Sequence, residues 1–233
     1  MASTTAYLLM HEGIRTELHR LAGFAEKLAA GCRPAEPRQF TALRAHVGEV
    51  MVAIHHHHVG EDEHLWPLLR SKTEPGAFDD GLAALSRDHD RLDGLMDEIL
   101  ACLDQLAAAG TTSWQTGTAD RLAAVTRTLR DLMDTHLTVE EALVVPAFTG
   151  LLTDDEAHRM EKRMQAGSEM KISFVLPWLA EADPVRMAEL IAGGGLLFRV
   201  LLAATRGRYL RRLATAYAPL RAASDTAPAY AAS

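Results

Sequence analysis

The chain contains an internal duplication, which constrains its fold more than any other feature of the sequence. The segment HEGIRTEL, beginning at His11, matches HDRLDGLM, beginning at His89, at an offset of 78 residues. The segment HHVGEDEHLWP, beginning at His57, lies over HLTVEEALVVP, beginning at His136, at an offset of 79 residues. A sequence that repeats itself at a nearly fixed distance is built from copies of one structural unit. We therefore expect the two halves to share their secondary structure.

Each copy of the repeat has the pattern of two long amphipathic helices. Apolar residues recur at spacings of three and four, glycine and proline gather between the long stretches, and no segment has the alternating pattern of a strand. Short links between long helices make neighbours antiparallel, and four such helices form an up-down-up-down bundle. The sequence therefore predicts an all-α fold. Its four-helix bundle occupies residues 1–150, with helices at about 4–30, 37–70, 79–109 and 118–148.

Residues 151–233 are predicted to form a helical C-terminal extension. The sequence TDDE at 153–156 is a capping-box start for one helix, and Asp183–Pro184 begins another. Gly193–Gly195 predicts a hinge before a basic helix. Residues 196–221 contain six arginines and no acid, so the rest of the chain carries a formal charge of −13, six units below the total of −7. This basic helix either docks on its own acidic domain or contacts a protein or an anionic surface.

Composition and targeting signals narrow the class of protein. The formal net charge of −7 argues against nucleic acid as a partner. No run approaches the roughly 18 consecutive apolar residues of a membrane-spanning helix, and the first residues lack the charged region of a signal peptide. The two cysteines, Cys32 and Cys102, have no CxxC spacing, which favours a reducing compartment. The sequence therefore predicts a cytoplasmic protein without a transmembrane segment.

The repeat places histidine and glutamate on the apolar faces of its helices. A helix turns about 100° per residue, so residues separated by three, four or seven positions share a face. His57 and Glu61 lie on the face of the apolar Ile54, and the equivalent pair, His136 and Glu140, lies on an apolar face in the same way. The side chains aimed at the interior of the bundle are therefore His11, His57, Glu61, His89, His136 and Glu140.

Two inward carboxylates indicate a metal site. Burying an ionised carboxylate without a partner costs several kcal/mol, against a typical total stability of roughly 5–15 kcal/mol. Arg15 is the only clear basic residue on the same faces. Metal ions would neutralise both acids and use the lone pairs of the imidazoles. We therefore predict that these six residues are metal ligands.

Four further residues are candidates for an extra ligand or for a hydrogen-bonding role beside the ligands. Asp93 lies on the inner face of its helix and fits either role, or a salt bridge to Arg15, its counterpart in the repeat. His64 shares the face of His57, one turn further on. His58 lies at the edge of that face, where we expect a boundary position, with a gating or hydrogen-bonding role as the alternative.

The types of donor restrict the metal. Imidazole and carboxylate without thiolate suit iron or manganese and are compatible with zinc. Zinc usually closes at four ligands, whereas two glutamates among four histidines fit two octahedral ions that share bridging carboxylates. With one bridging oxygen, such a pair keeps two open positions, at which small molecules can bind and react.

The order of these residues resembles the hemerythrin-like, or HHE cation-binding, family, whose motif is H, HxxxE, H, HxxxE on four bundle helices. The resemblance covers about residues 8–148, and the segment FVLPW at 174–178 is also similar to hemerythrin-like proteins of actinobacteria. It implies a non-haem di-iron centre, with two iron ions bridged by carboxylates and by an oxo or hydroxo group. Manganese and zinc are less expected. The matching positions are His11, His57xxxGlu61, His89 and His136xxxGlu140.

The sequence departs from the oxygen-carrying hemerythrins on two helices. Those proteins carry HxxxH on the third helix, where His89 is followed here by Asp93, and HxxxxD on the fourth, where His136 is followed by Glu140. The comparison implies that one iron loses an imidazole. We therefore expect the centre to be less suited to reversible carriage of dioxygen and better suited to peroxide or nitric oxide.

The resemblance implies more than one function. Family members are associated with catalase-like activity, with nitric oxide turnover, and with sensing of oxygen, iron or redox state. The first hypothesis is a di-iron protein that binds and turns over hydrogen peroxide, nitric oxide or dioxygen; as an enzyme it would be an oxidoreductase. The alternatives are a sensor that signals through residues 150–233 and a metal-binding or storage module without turnover.

Overall fold

The chain is helical throughout the part that the structure describes. The computed structural model describes residues 3–34, 36, 38–109, 116–166 and 169–222. Residue 37, the predicted start of the second helix, and residues 223–233 of the predicted extension lie outside this part. The α-helices of the described residues are α1 (Thr5–Ala29), α2 (Arg38–Gly60), α3 (Trp66–Arg70), α4 (Asp79–Ala109), α5 (Thr116–Leu151), α6 (Asp154–Gln165), α7 (Ile172–Ala182) and α8 (Pro184–Ala216). The predicted all-α fold is confirmed.

The four long helices of the repeat form the bundle. Helix α1 packs on α5, α5 packs on α4, and α4 packs on α2, whereas α1 and α2 contact each other little. The apolar spacing in the sequence explains these contacts, because residues three and four apart form one stripe on each helix. On α1 this stripe includes Leu9, Ile14, Leu18 and Leu21, all of which are buried.

The C-terminal helices cover the side of the bundle where α1 and α2 meet. Helix α7 packs on α1, and α8 packs on α7, α2 and α1. Phe174 and Trp178 of α7 join the same apolar core as the bundle. Thr153 forms the predicted capping box with Glu156, and the Asp183 side chain accepts hydrogen bonds from the first turn of α8. The extension is therefore anchored by defined helix starts and by burial.

Helix α8 continues through the predicted hinge without a break, and that prediction is wrong. The helix runs without interruption from Pro184 to Ala216 and includes Gly193–Gly195. Each helical glycine costs about 1 kcal/mol relative to alanine. Ile191 before the glycines and Phe198 after them both pack against the core. Tertiary packing on both sides therefore outweighs the local preference of the glycines. Within the described residues, each helix is too short or too polar to cross a membrane.

The second helix of the bundle changes its period near its end. The sequence predicts one helix over residues 37–70, and the structure divides it into α2, a π-helical turn over Glu61–Leu65, and α3. The wider π-helical turn inserts an extra residue into the helix, and such turns are often found at functional sites. Glu61, one of the predicted ligands, is the first residue of this turn.

Candidate metal centre

A layer of polar side chains crosses the bundle between two apolar clusters. The layer lies between Ile54 and Leu65 on the second bundle helix, and between Met133 and Val144 on α5. Trp66 belongs to the cluster that closes the end of the bundle. None of the seven histidine and glutamate side chains of the layer is more than 6% exposed. The layer is therefore shielded from bulk water on both sides.

Seven side chains form two adjacent groups, each of which could hold a metal ion. Within each group, the potential ligand atoms lie within 4.8 Å of one another. All six predicted ligands are brought together, and one further histidine joins them. The first group is His58, His89 and His136, and the second is His11, His57, Glu61 and Glu140.

Glu61 lies between the two groups and presents one oxygen to each of them. Its Oε1 is 3.2 Å from Nε2 of His57, which belongs to the second group. Its Oε2 is 3.7 Å from Nε2 of His89, which belongs to the first group. A carboxylate in this position has the placement of a bridging ligand.

Glu140 has the same relation to the two groups. Its Oε1 is 3.4 Å from Nε2 of His11, and its Oε2 is 3.1 Å from Nε2 of His136. The Nε2 atoms of His11 and His57 are themselves 3.1 Å apart. The carboxylates and imidazoles therefore converge on two neighbouring points, as the duplication predicts.

Most of the inward-facing polar atoms of the two groups lack hydrogen-bond partners among the described residues. Such buried orphan atoms are uncommon in proteins, because each costs about 1–3 kcal/mol. Metal ions held by the two groups would satisfy most of these atoms together, so the residues present fit a metal pair. In the described part of the chain, the orphan atoms include both oxygens of Glu61, Oε2 of Glu140, both ring nitrogens of His58, and Nε2 of His89 and His136.

Burial keeps three of the imidazoles neutral. Burial, followed by the neighbouring His11, lowers the pKa of His57 to about 3. Burial also lowers the pKa of His58 and the pKa of His89. A neutral imidazole has a free lone pair, which is the form that binds a metal.

Burial and mutual repulsion oppose the ionisation of both buried glutamates at once. Burial, followed by the charge of Glu140, raises the pKa of Glu61. Burial would also raise the pKa of Glu140, but His11 and His136 hold it below its ordinary value. Among the described residues, every ion-pair contact of the two glutamates is with a histidine. Two cations would allow both glutamates to ionise.

Acidic residues behind the histidines fix the orientation of two rings. Nδ1 of His11 is 2.8 Å from Oε1 of Glu141, which also accepts a hydrogen bond from Nη1 of Arg15 at 2.7 Å. Nδ1 of His89 is 2.7 Å from Oδ2 of Asp62. A carboxylate at Nδ1 directs Nε2 toward the metal and increases its basicity. Arg15, a candidate for a supporting role, lies behind Glu141.

His58 is part of the candidate centre, whereas the sequence placed it at the edge of the inner face. Its ring is buried and stacks on His89, with centroids 4.1 Å apart and an interplanar angle of 5°. Two adjacent residues are buried at each of two successive turns of α2, Ala53 with Ile54 and then His57 with His58. The buried face of α2 is therefore wider than a single stripe. His57 and His58 therefore both face the interior, although they are about 100° apart around the helix.

The other two candidate residues lie outside both groups. Oδ2 of Asp93 is 2.9 Å from Nδ1 of His55 in an exposed pair, and Arg15 contacts Glu141 instead of Asp93. His64 is half-buried and lines a groove with residues of α6, including Arg159. Asp93, which the helical spacing placed on the inner face of its helix, thus pairs with His55 and does not contact the two groups.

Tyr7 is a residue of the centre that the repeat did not identify. Its hydroxyl donates a hydrogen bond to Oε1 of Glu140, and its ring centroid is 4.3 Å from that of His11. Burial, followed by the charges of Glu140 and Glu61, raises the pKa of Tyr7. The phenol therefore stays protonated. Tyr7 lies four residues before His11, so the helical spacing contained the signal for this contact.

A third buried acid, Glu17, lies outside the centre and is surrounded by polar partners. Its Oε1 is 3.1 Å from Nε2 of His46 and accepts a hydrogen bond from the Tyr217 hydroxyl at 2.5 Å. Its Oε2 accepts a hydrogen bond from Nη1 of Arg20 at 2.8 Å. We call these four residues the Glu17 cluster. It joins the end of α8 to α1 and α2.

Comparison with known proteins places these residues in a family. The model of the hemerythrin HHE cation-binding domain matches residues 4–148, and it matches again over residues 80–207. The first match covers more than half of the chain and all seven side chains of the two groups. No curated protein and no solved structure matches the chain.

Proposed function

Because the chain belongs to the hemerythrin HHE cation-binding family, we propose that it holds a non-haem di-iron centre that binds and turns over a small ligand. Hydrogen peroxide, nitric oxide and dioxygen are the candidate ligands, and the activity would be catalase-like or nitric oxide-consuming. The observation that carries the proposal is the placement of Glu61 and Glu140, each with one oxygen toward each histidine group.

The chain supplies a distinct set of donors for each ion. The first ion would be held by His58, His89 and His136 with one oxygen from each glutamate. The second would be held by His11 and His57 with the other two oxygens. Iron in such a site would supply exchange between ferrous and ferric states. Zinc has no redox chemistry and usually closes at four ligands, and manganese, which these donors also suit, is the less expected alternative.

His58 changes the expected number of open positions. The sequence predicts two, because Asp93 stands where oxygen-carrying relatives have a histidine. His58 restores that missing imidazole from another helix, which leaves one position open on the side of His11 and His57. Tyr7 lies on that side and holds its proton at the phenol oxygen, next to Glu140. Tyr7 is therefore placed to hydrogen-bond to a bound small molecule.

A sensor is the second candidate, because the C-terminal helices contact the chain directly beside two of the proposed ligands. A methyl group added at Gly13, two residues after His11, would lie 2.6 Å from Leu179 of α7. One added at Gly60, next to Glu61, would lie 2.7 Å from Met164 of α6. A movement of either ligand helix would therefore displace the extension.

Both cysteines of the chain are free, which supports a reducing, cytoplasmic location.

The reaction of the ferrous protein with each candidate ligand separates these functions. Metal content is measured first, and the ferrous protein is then mixed with peroxide, nitric oxide or dioxygen while the optical spectrum is recorded. Many turnovers per centre are expected for an enzyme, and a single stoichiometric change would identify a sensor. Stable metal binding without reaction would indicate a storage module. A folded protein that contains no metal and resists reloading would overturn the proposal.

Three substitutions within one short segment test the assignment of the ligands. Glu61→Ala removes a bridging carboxylate, and we expect the metal content to fall to half or less. His55→Ala changes an exposed histidine that pairs with Asp93, and we expect no change. His58→Ala should behave like Glu61→Ala if His58 is a ligand. Equal metal contents in all three variants would contradict the assignment.

A further inference from the structure

The outward face of α8 concentrates exposed apolar side chains. Among the described residues, nine large apolar side chains are exposed, and five of them belong to this helix. Leu196 is 75% exposed, Leu197 is 74% exposed and Val200 is 56% exposed. Single exposed apolar residues are ordinary, but a contiguous set on one element marks an interaction surface. The remaining two members on α8 are Val185 and Leu210.

Arginines flank this apolar stripe on both sides. Leu196, Leu197 and Val200 lie on one side of the helix, with Arg199 beyond Leu196 at one edge and Arg208 beyond Leu197 at the other. A groove of about 580 Å³ runs along the Arg199 side and is lined by Leu196 and Arg206 among others. The outward face of α8 therefore has an apolar centre, with guanidinium groups along its borders.

These arginines do not hold α8 to its own acidic bundle. In the described part of the chain, no acidic side chain forms an ion pair with Arg199, Arg206, Arg208 or Arg211, whereas Arg212 lies 3.9 Å from Glu49. The helix docks through its opposite face, where Met187, Tyr209 and Ala216 are buried. Apolar packing is thus sufficient to explain the docking, and these four arginines have no acidic partner among the described residues.

We infer that the outward face of α8 binds the surface of a bilayer that carries anionic lipids. Leu196, Leu197 and Val200 would enter the boundary between headgroups and acyl chains, and the flanking arginines would bind lipid phosphates. Helices with an apolar face and a basic border bind membranes in this way. The acidic bundle lies behind α8, about one helix diameter from the lipid, where salt screens most of its repulsion.

Other partners fit this face less well. A second copy of the chain paired through a two-fold axis would set one arginine-rich face against another. Nucleic acid would pair with the arginines but would leave Leu196 and Leu197 exposed to water. A bilayer surface accommodates both chemical features in the acid-free part of the helix that begins at Leu196.

Sedimentation with vesicles tests the inference on the full-length, metal-loaded protein. We expect binding to vesicles that contain phosphatidylglycerol, little binding to phosphatidylcholine alone, and weaker binding as salt is raised. The double variants L196S/L197S and R199Q/R206Q should each weaken binding by about tenfold or more. The matched controls are Val139→Ser, an exposed apolar residue of the bundle, and Arg121→Gln, a surface arginine paired with Glu98.

Three results would overturn the inference. One is an absence of binding to anionic vesicles, which would favour a protein partner. A second is unchanged binding of L196S/L197S, because attraction of the arginines alone would then explain the result. A third is a dimer in light scattering that the α8 variants dissociate. The Glu61→Ala variant should bind vesicles like the unmodified protein, so failure of the metal assignment would be seen separately.

Discussion

The bundle buries glutamates in two regions, and the two regions compensate them differently. Glu17 receives hydrogen bonds or close contacts from His46, Arg20 and Tyr217 on three helices. Glu61 and Glu140 have imidazoles and the Tyr7 hydroxyl near their carboxylates, and among the described residues three of their four oxygens lack a hydrogen-bond partner. Burial is complete in both regions. Burial of an acid alone therefore does not indicate a metal site; the missing partners do.

The difference also separates two tasks within one fold. The Glu17 cluster links the end of α8 to the bundle through hydrogen bonds and ion pairs. Side chains of the protein itself supply the partners of the Glu17 carboxylate. The proposed metal centre would depend on ions from solution, so its contribution to stability would change with metal supply. Substitutions of the two kinds of glutamate should consequently have different effects on stability and on metal content.

Glu17→Ala should have the largest effect on stability. The substitution leaves Arg20 and His46 without their buried carboxylate, and removing one partner of a buried ion pair costs about 3–5 kcal/mol. Metal content per folded molecule should stay the same. The free energy of unfolding in urea and the metal content together test both expectations. Glu26→Ala, which removes an exposed pair with Arg127, is the control and should change stability little. Loss of metal in Glu17→Ala would break the distinction between the regions.

Glu61→Gln should change stability in opposite directions with and without metal. In the metal-free protein it removes a buried acid that lacks a cationic partner, and we expect a gain of about 1 kcal/mol. In the metal-loaded protein it removes a bridging ligand, and we expect a loss. Glu17→Gln should be destabilising in both forms. Thermal unfolding of both variants and of the unmodified protein, each with and without metal, tests the sign of these changes. If Glu61→Gln destabilised the metal-free protein, the Glu61 carboxyl would have sufficient partners within the protein itself.

The Glu17 cluster should weaken in acid, and this effect is expected to be the smallest. Burial would raise the pKa of Glu17, but His46, Arg20 and the Tyr217 hydroxyl lower it below the ordinary value of 4.5. A lowered pKa in the folded state stabilises the protein above pH 4.5, and this contribution is lost as the pH falls through the folded value. The difference in unfolding free energy between the unmodified protein and Glu17→Gln should therefore shrink below about pH 4.5. A difference that is constant with pH would exclude an ionised Glu17.

The sequence predicted the bundle and six side chains of the centre because both depend on regular spacing. His57 and Glu61 are four residues apart, and the duplication distinguished His57 from the neighbouring histidines of the run. His58 has a leucine as its counterpart in the repeat, so the same comparison placed it at the boundary. The width of the buried face of α2 depends on which helices surround it, and a single-sequence pattern does not contain that information.

The two remaining differences arise from tertiary packing. The hinge prediction at Gly193–Gly195 used local propensity, which the contacts of α8 with the bundle outweigh. The Glu17 cluster joins residues about 200 positions apart, as in the hydrogen bond between Tyr217 and Glu17. Glu17 itself follows the apolar Ile14 by three residues, so its burial was open to prediction. Its long-range partners were not, because His46 lies on a different bundle helix and Tyr217 lies in the extension, outside the repeat.

The π-helical turn makes the two halves of the bundle unequal in how firmly they hold their donors. One short segment of the first half supplies His57, His58 and Glu61, and it ends in a backbone geometry that surrounding contacts must maintain. The second half presents His136 and Glu140 from an uninterrupted α-helix. Loss of the ions would relax the first segment before the second. Metal release and reloading would then begin at a single turn of the chain, and the opposite helix would serve as the fixed template for reassembly.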